Sequence, residues 1–166
     1  MNKDFSNRSE ILQRAKAGDS EAMYQLGLLA EESEEIDAAK RWYDLSAKKG
    51  FGAALNRLGL YAHEDGKISE AEKYYQQAAQ TGYVMAINNL GVLAYEAGRE
   101  KEAKRFFEEA AKKGNPLSMV SLGSFALERG DVKEARAWFG AAAKQDNGAA
   151  MFFLGNIAEN SGDINQ

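Results

Sequence analysis

The 166-residue chain has no cysteine, which rules out a disulfide framework and a thiolate metal site. It has one histidine, His63, so a histidine metal cluster lacks the residues it needs, and no Ser-His-Asp grouping comes with a motif around it. Basic side chains are not in excess: 21 Lys and Arg stand against 25 Asp and Glu, a formal net charge of −4. Binding to nucleic acid or to an anionic membrane would leave a basic surplus, and this balance argues against both. Long hydrophobic runs are missing too. The first residues, Met1-Asn2-Lys3-Asp4-Phe5-Ser6-Asn7-Arg8, carry no apolar signal core, and nothing later approaches a membrane span. These absences lead us to expect a soluble, cytoplasmic chain with no membrane contact.

Chemistry-bearing motifs are equally scarce. No glycine loop has the spacing that cradles phosphate. The acidic run Glu31-Glu32-Ser33-Glu34-Glu35-Ile36-Asp37 lacks the alternating oxygen ligands and the glycine of a calcium loop. It reads as a solvated turn in which Glu34 takes the place of a glycine. His63 lies beside Glu64 and Asp65, the setting of a polar surface residue rather than of a proton switch. The expectation is a protein without catalytic residues, cofactor or metal.

What the chain does contain is a repeat. Leu26-Gly27, Leu58-Gly59, Leu90-Gly91, Leu122-Gly123 and Leu154-Gly155 recur every 32 residues without slippage, the signature of one supersecondary unit stacked on copies of itself. Five residues before each glycine stand Ala22, Ala54, Ala86, Ser118 and Ala150. Three residues after it come Ala30, Ala62, Ala94, Ala126 and Ala158. Ala39, Ala71, Ala103 and Ala135 follow, and then the aromatic doublets Trp42-Tyr43, Tyr74-Tyr75, Phe106-Phe107 and Trp138-Phe139. Apolar spacings of three and four make both halves of each unit amphipathic helices. First helices are expected near 19–32, 52–64, 84–96, 116–128 and 148–160, and second helices near 35–49, 67–81, 99–113 and 131–145. Gly66, Gly98, Gly130 and Gly162 mark the turn inside a pair. Gly18, Gly50, Gly82 and Gly114 follow a second helix, with Asp146 as the exception. Pro116 stands at a helix start, where its missing N–H costs nothing, and Asp131 with Glu134 resembles a capping box. The mid-helix glycine of the Leu-Gly pair costs about 1 kcal/mol relative to alanine, so its recurrence implies a close helix crossing that the aromatic doublet fills.

The stretch Ala71-Glu72-Lys73-Tyr74-Tyr75-Gln76-Gln77-Ala78-Ala79-Gln80-Thr81-Gly82, followed by Ala86 and Leu90-Gly91, resembles the Sel1-like repeat, a relative of the tetratricopeptide repeat. The resemblance runs from about residue 10 to 162. The turn between helices is shorter than the usual Sel1 turn, and the distance from Gly91 to Ala103 is similar to that of a tetratricopeptide repeat. The resemblance implies an all-α, right-handed α-solenoid of helix-turn-helix repeats with a 32-residue period. We expect a single domain over 1–166, with a partial N-terminal cap helix at 9–17. Repeats are expected at 19–50, 51–82, 83–114 and 115–146, and a partial repeat at 147–166.

By the same resemblance, the function is that of a scaffold or adaptor, bacterial and cytoplasmic, which binds a protein or peptide in a concave groove lined by first helices. Tyr24, Asn56, Arg57, Asn88, Asn89, Tyr95 and Val120 are the groove candidates. The asparagines stand out because an amide both donates to and accepts from an extended backbone; bridging between adjacent repeats is their other use. Glu32, Glu64, Glu96 and Glu128 close each first helix, either as a carboxylate ladder for a basic segment or as partners of Arg41, Lys73 and Arg105. Phe152 and Phe153 stand where earlier units have Asn, Arg or Gln, and suggest a terminal interface for a homodimer or a partner. Alternative readings are an immunity or inhibitor protein that blocks one partner, and a small-molecule-binding or hydrolytic Sel1-type protein.

Overall fold

In a computed structural model, residues 3–160 are described, and among them every regular element is a helix. The first helices of successive repeats are α2 (Ser20–Glu32), α4 (Gly52–Glu64), α6 (Val84–Glu96), α8 (Pro116–Glu128) and α10 (Gly148–Asn160). The second helices are α3 (Ile36–Ala47), α5 (Ile68–Gln80), α7 (Glu100–Lys112) and α9 (Val132–Ala143), preceded by α1 (Lys3–Lys16). The bounds of α2 to α10 fall within two residues of those expected from spacing. α1 starts at Lys3 rather than near residue 9. The turn expected at Gly162 lies outside the described residues.

Helix ends follow local chemistry. The Asn115 side chain accepts from the Ser118 N–H at 2.8 Å, with Pro116 in the first turn. Asp131 accepts from the Glu134 N–H at 2.9 Å, which is one half of the capping box. Glu34 (φ 60°) and Asp146 (φ 57°) hold the left-handed conformation that glycine holds at the equivalent turns of other repeats. The repeat therefore imposes that turn even where the residue disfavours it.

The helices form two compact units, residues 1–86 and 87–166, divided inside α6. Within residues 1–86, Ala15, Ala22, Met23 and Leu26 form one buried cluster, and Ala30, Ala39, Tyr43, Ala54 and Leu58 form another. Within residues 87–160, the core gathers Phe107, Met119, Leu122, Phe139 and Ile157 among alanines. The first member of each aromatic doublet is half-buried, while the second, Tyr43, Tyr75, Phe107 or Phe139, is sealed inside.

Each sealed ring lies on the glycine of its own Leu-Gly pair. A Cβ on Gly91 would stand 2.6 Å from Phe107 Cε1, and one on Gly123 would stand 2.5 Å from Phe139 Cε1. Gly27 under Tyr43 and Gly59 under Tyr75 repeat the arrangement. A methyl group does not fit, because the ring is buried and has nowhere to go. Gly155 is different: a Cβ there meets nothing within 4 Å.

Two substitutions separate these cases. Gly91→Leu is expected to destabilise by about 1–3 kcal/mol through overpacking. Gly155→Ala is expected to stabilise by about 0.5–1 kcal/mol, since only helix propensity changes there. Thermal melts of both variants check this, and an unchanged melt for Gly91→Leu contradicts the crossing.

Candidate functional site

Side chains on the other side of the first helices differ from repeat to repeat, and several of them pack against the edge of the core. In residues 1–86 they form a polar knot. Glu31, at the end of α2, is its centre: Tyr61 Oη donates to Glu31 Oε1 at 2.5 Å, and Arg57 Nη2 stands 3.6 Å from Glu31 Oε2. The Tyr24 phenol helps to hold the Arg57 guanidinium charged, and its ring lies 5.3 Å from Phe51 and 5.5 Å from Tyr43. Burial, and after it the Glu31 carboxylate, push the Tyr43 and Tyr61 phenols well above their usual 10.0. On the neighbouring second helix, Lys40 Nζ sits 4.7 Å from the Tyr61 ring centroid and 3.7 Å from Asp65. Tyr24 and Arg57 are thus brought together. Asn56 lies in the same helix as Arg57 but is only 4% exposed.

In residues 87–160 the same face is apolar. Val92 and Tyr95 of α6, Val120 and Phe125 of α8, and Phe153 of α10 line a cleft of about 430 Å³ whose rim carries Glu96 and Glu128. The Tyr95 ring packs edge-on against Phe125 at 5.3 Å, and its hydroxyl faces Glu128 Oε1 at 3.4 Å. Tyr95 is 45% exposed. Two of the groove candidates, Tyr95 and Val120, therefore meet Phe153 in one depression.

The other candidates are placed differently. Asn88 is buried: its Oδ1 accepts from Ser118 Oγ at 2.8 Å, and its Nδ2 donates to Asn89 Oδ1 at 3.3 Å. That amide bridges two first helices, the second of the two uses open at the sequence level, and leaves Asn89 half-buried beside it. The Phe152 and Phe153 rings touch edge-on at 6.0 Å but differ in exposure. Phe153 stacks on Phe139 at 4.8 Å with the ring planes 12° apart, whereas Phe152 is 65% exposed. Sequence reading missed Phe125, whose position varies between repeats, and Glu31, one residue before the carboxylate ladder. It also missed the Asn88–Ser118 pair, whose one trace in the sequence is a serine in a column of alanines.

Among the described residues, no group of three or more His, Asp or Glu could hold a metal ion. No described helix is long and apolar enough to cross a membrane.

The tetratricopeptide repeat family model matches residues 56–116 and 88–150, more than half of the chain. The chain belongs to the tetratricopeptide repeat family. The related Sel1 repeat model matches residues 20–51, so this repeat protein carries both kinds of unit. A comparison with curated proteins returns no match. Among solved structures, the chain is similar to a Sel1 repeat protein from Oxalobacter formigenes, with 26% identity and a TM-score of 0.80 over 90% of this chain and 68% of that one. It is also similar to a protective antigen of uropathogenic Escherichia coli with an SLR fold, at 23% identity and a TM-score of 0.77 over 93% of this chain. The repeat protein spans 36% of that antigen's length. PilF of Pseudomonas aeruginosa is 16% identical with a TM-score of 0.69, covering 95% of this chain and 84% of its own. The fold is therefore an all-α array of the solenoid class, and members of these families are in general scaffolds for protein–protein interaction.

The raised phenols have a consequence at high pH. Below pH 10.0 both folded and unfolded chains keep the Tyr43 and Tyr61 protons, and their contribution to stability is complete. Above it the unfolded chain releases them first, so stability falls as pH rises. Urea midpoints are expected to drop between about pH 10 and 12, and to drop less steeply in Tyr43→Phe. Parallel slopes for the two proteins contradict the assignment.

Proposed function

We propose that this repeat protein is an adaptor that binds a segment of another protein on its first-helix face, and that the cleft between Tyr95 and Phe153 is the seat. The observation that carries the reading is the contrast between the two units. In residues 1–86 the equivalent side chains satisfy one another around Glu31, while in residues 87–160 an apolar depression with an exposed tyrosine is left open. A depression of that size takes one or two aliphatic or aromatic side chains. The rim carboxylates Glu96 and Glu128 favour a lysine or arginine next to them. Repeat scaffolds of this kind generally act by binding rather than by catalysis, which agrees with the scarcity of reactive groups here.

The test is capture from the source lysate with wild-type protein and with Tyr95→Ala/Val120→Ser. Circular dichroism confirms that the variant stays folded. A protein retained by the wild type and at least ten-fold depleted on the variant supports the cleft as the binding seat. A partner retained equally by both moves binding off this face and contradicts the proposal.

A further inference from the structure

The cleft between Tyr95 and Phe153 has a counterpart two periods earlier in the chain. Glu31, Arg57, Leu60, Tyr61 and Glu64 line a smaller depression of about 230 Å³ on α2 and α4. Their equivalents in register are Tyr95, Ser121, Ser124, Phe125 and Glu128, and all five line the cleft of about 430 Å³. The ring two residues after the glycine is kept (Tyr61, Phe125), and so is the carboxylate that ends the helix (Glu64, Glu128). The guanidinium is not. Ser121 stands where the earlier repeat has Arg57, and Ser124 where it has Leu60.

In the earlier depression a positive side chain is part of the fold. Arg57 Nη2 lies 3.6 Å from Glu31 Oε2, in the space that the Tyr61 ring also lines. Lys40 Nζ sits 4.7 Å from the centroid of the same ring and 3.7 Å from Asp65. Rings beside carboxylates thus hold cations in residues 1–86. In residues 87–160 the rings are more numerous: Tyr95, Phe107, Phe125 and Phe153 wall the cleft. Glu96 and Glu128 add two negative charges, and none of the described residues that line the cleft is basic.

We propose that the cleft is an arginine-binding site, in which an arginine of the partner segment takes the place that Arg57 fills in the earlier repeat. Its guanidinium lies against the aromatic wall, with its N–H groups directed to Glu128 and to the Ser121 and Ser124 hydroxyls. Its methylene stem meets Val92 and Val120, which also line the cleft. One side chain then supplies both the apolar part and the positive charge. Arginine suits this lining better than lysine, whose compact ammonium holds its water more strongly and cannot stack. A quaternary ammonium suits the rings but has no N–H for the two serines. The inference rests on the cleft being the binding seat, and names what enters it.

The probes are acetyl-Gly-Ala-Arg-Ala-Gly-amide and the same peptide with leucine, lysine or trimethyl-lysine in place of arginine. Each is titrated to millimolar concentration into the full chain, and backbone amide chemical shifts are followed. The arginine peptide is expected to shift Tyr95, Ser124 and Phe125 saturably, and to bind about ten-fold more tightly than the leucine and lysine peptides. Ser121→Arg returns the arginine of the earlier repeat, and Ser124→Leu returns its leucine. Each is expected to weaken the arginine peptide about ten-fold, with the circular dichroism of the wild type. Glu128→Gln is expected to weaken the arginine peptide and leave the leucine peptide unchanged. A leucine peptide that binds as tightly and is lost in Ser124→Leu keeps the cleft as a seat and overturns the arginine. Tighter binding of the trimethyl-lysine peptide overturns it in favour of a quaternary ammonium. Arginine binding that survives both serine substitutions lies elsewhere and overturns it. So does the absence of any shift, and the capture experiment with Tyr95→Ala/Val120→Ser then decides separately whether the cleft is a seat.

Discussion

An aromatic ring lying on a glycine of the facing helix is the contact on which the rest of this structure depends. Without a Cβ, Gly27, Gly59, Gly91 and Gly123 let Tyr43, Tyr75, Phe107 and Phe139 lie against the helix backbone itself. That closeness fixes how each pair of helices crosses. The alanine columns on either side follow from it, because larger side chains would hold the helices apart. About 1 kcal/mol of helix propensity is given up at each glycine, and burial of a whole ring, about 1.5–3 kcal/mol, outweighs it. A unit built this way cannot close its own hydrophobic face, so it stacks on the next and the period is preserved.

Because the crossing fixes only one side of each first helix, the other side is free to differ. In residues 1–86 that freedom is spent on a polar knot in which Tyr61 hydrogen-bonds Glu31 and Arg57 pairs with the same carboxylate, with Tyr24 beside them. In residues 87–160 it produces an apolar depression bordered by Tyr95, Val120 and Phe153. Two surfaces of opposite character thus stand on the same kind of hairpin. A binding segment with an apolar anchor and an adjacent positive charge suits the second, where desolvation is cheap and the carboxylates remain wet.

What was legible in the sequence is what repeats. Five copies of Leu-Gly and four aromatic doublets locate α2 to α10 to within two residues, and they imply the close crossing before any contact is seen. Glu34 and Asp146 were readable as turn residues because the period says where a left-handed residue must fall. The site was less legible, since it consists of what does not repeat. Tyr95 and Val120 could be assigned to the correct face by register. Nothing in the spacing says that Asn88 turns inward to Ser118, that Phe153 stacks on Phe139 while Phe152 stays exposed, or that Phe125 joins the cleft. Gly52 shows the same limit: it falls outside the Leu-Gly register, yet a Cβ there would stand 2.8 Å from Tyr83 Cβ.

The central claim is that each glycine is needed because of its ring. A double-mutant cycle on Gly123 and Phe139 tests this most directly, with urea unfolding of Gly123→Ala, Phe139→Val and the double variant. The account predicts that Gly123→Ala destabilises when Phe139 is present, and becomes neutral or stabilising by up to about 1 kcal/mol once the ring is removed. Equal destabilisation by Gly123→Ala in both backgrounds would show that the glycine serves some other purpose, and would contradict the account.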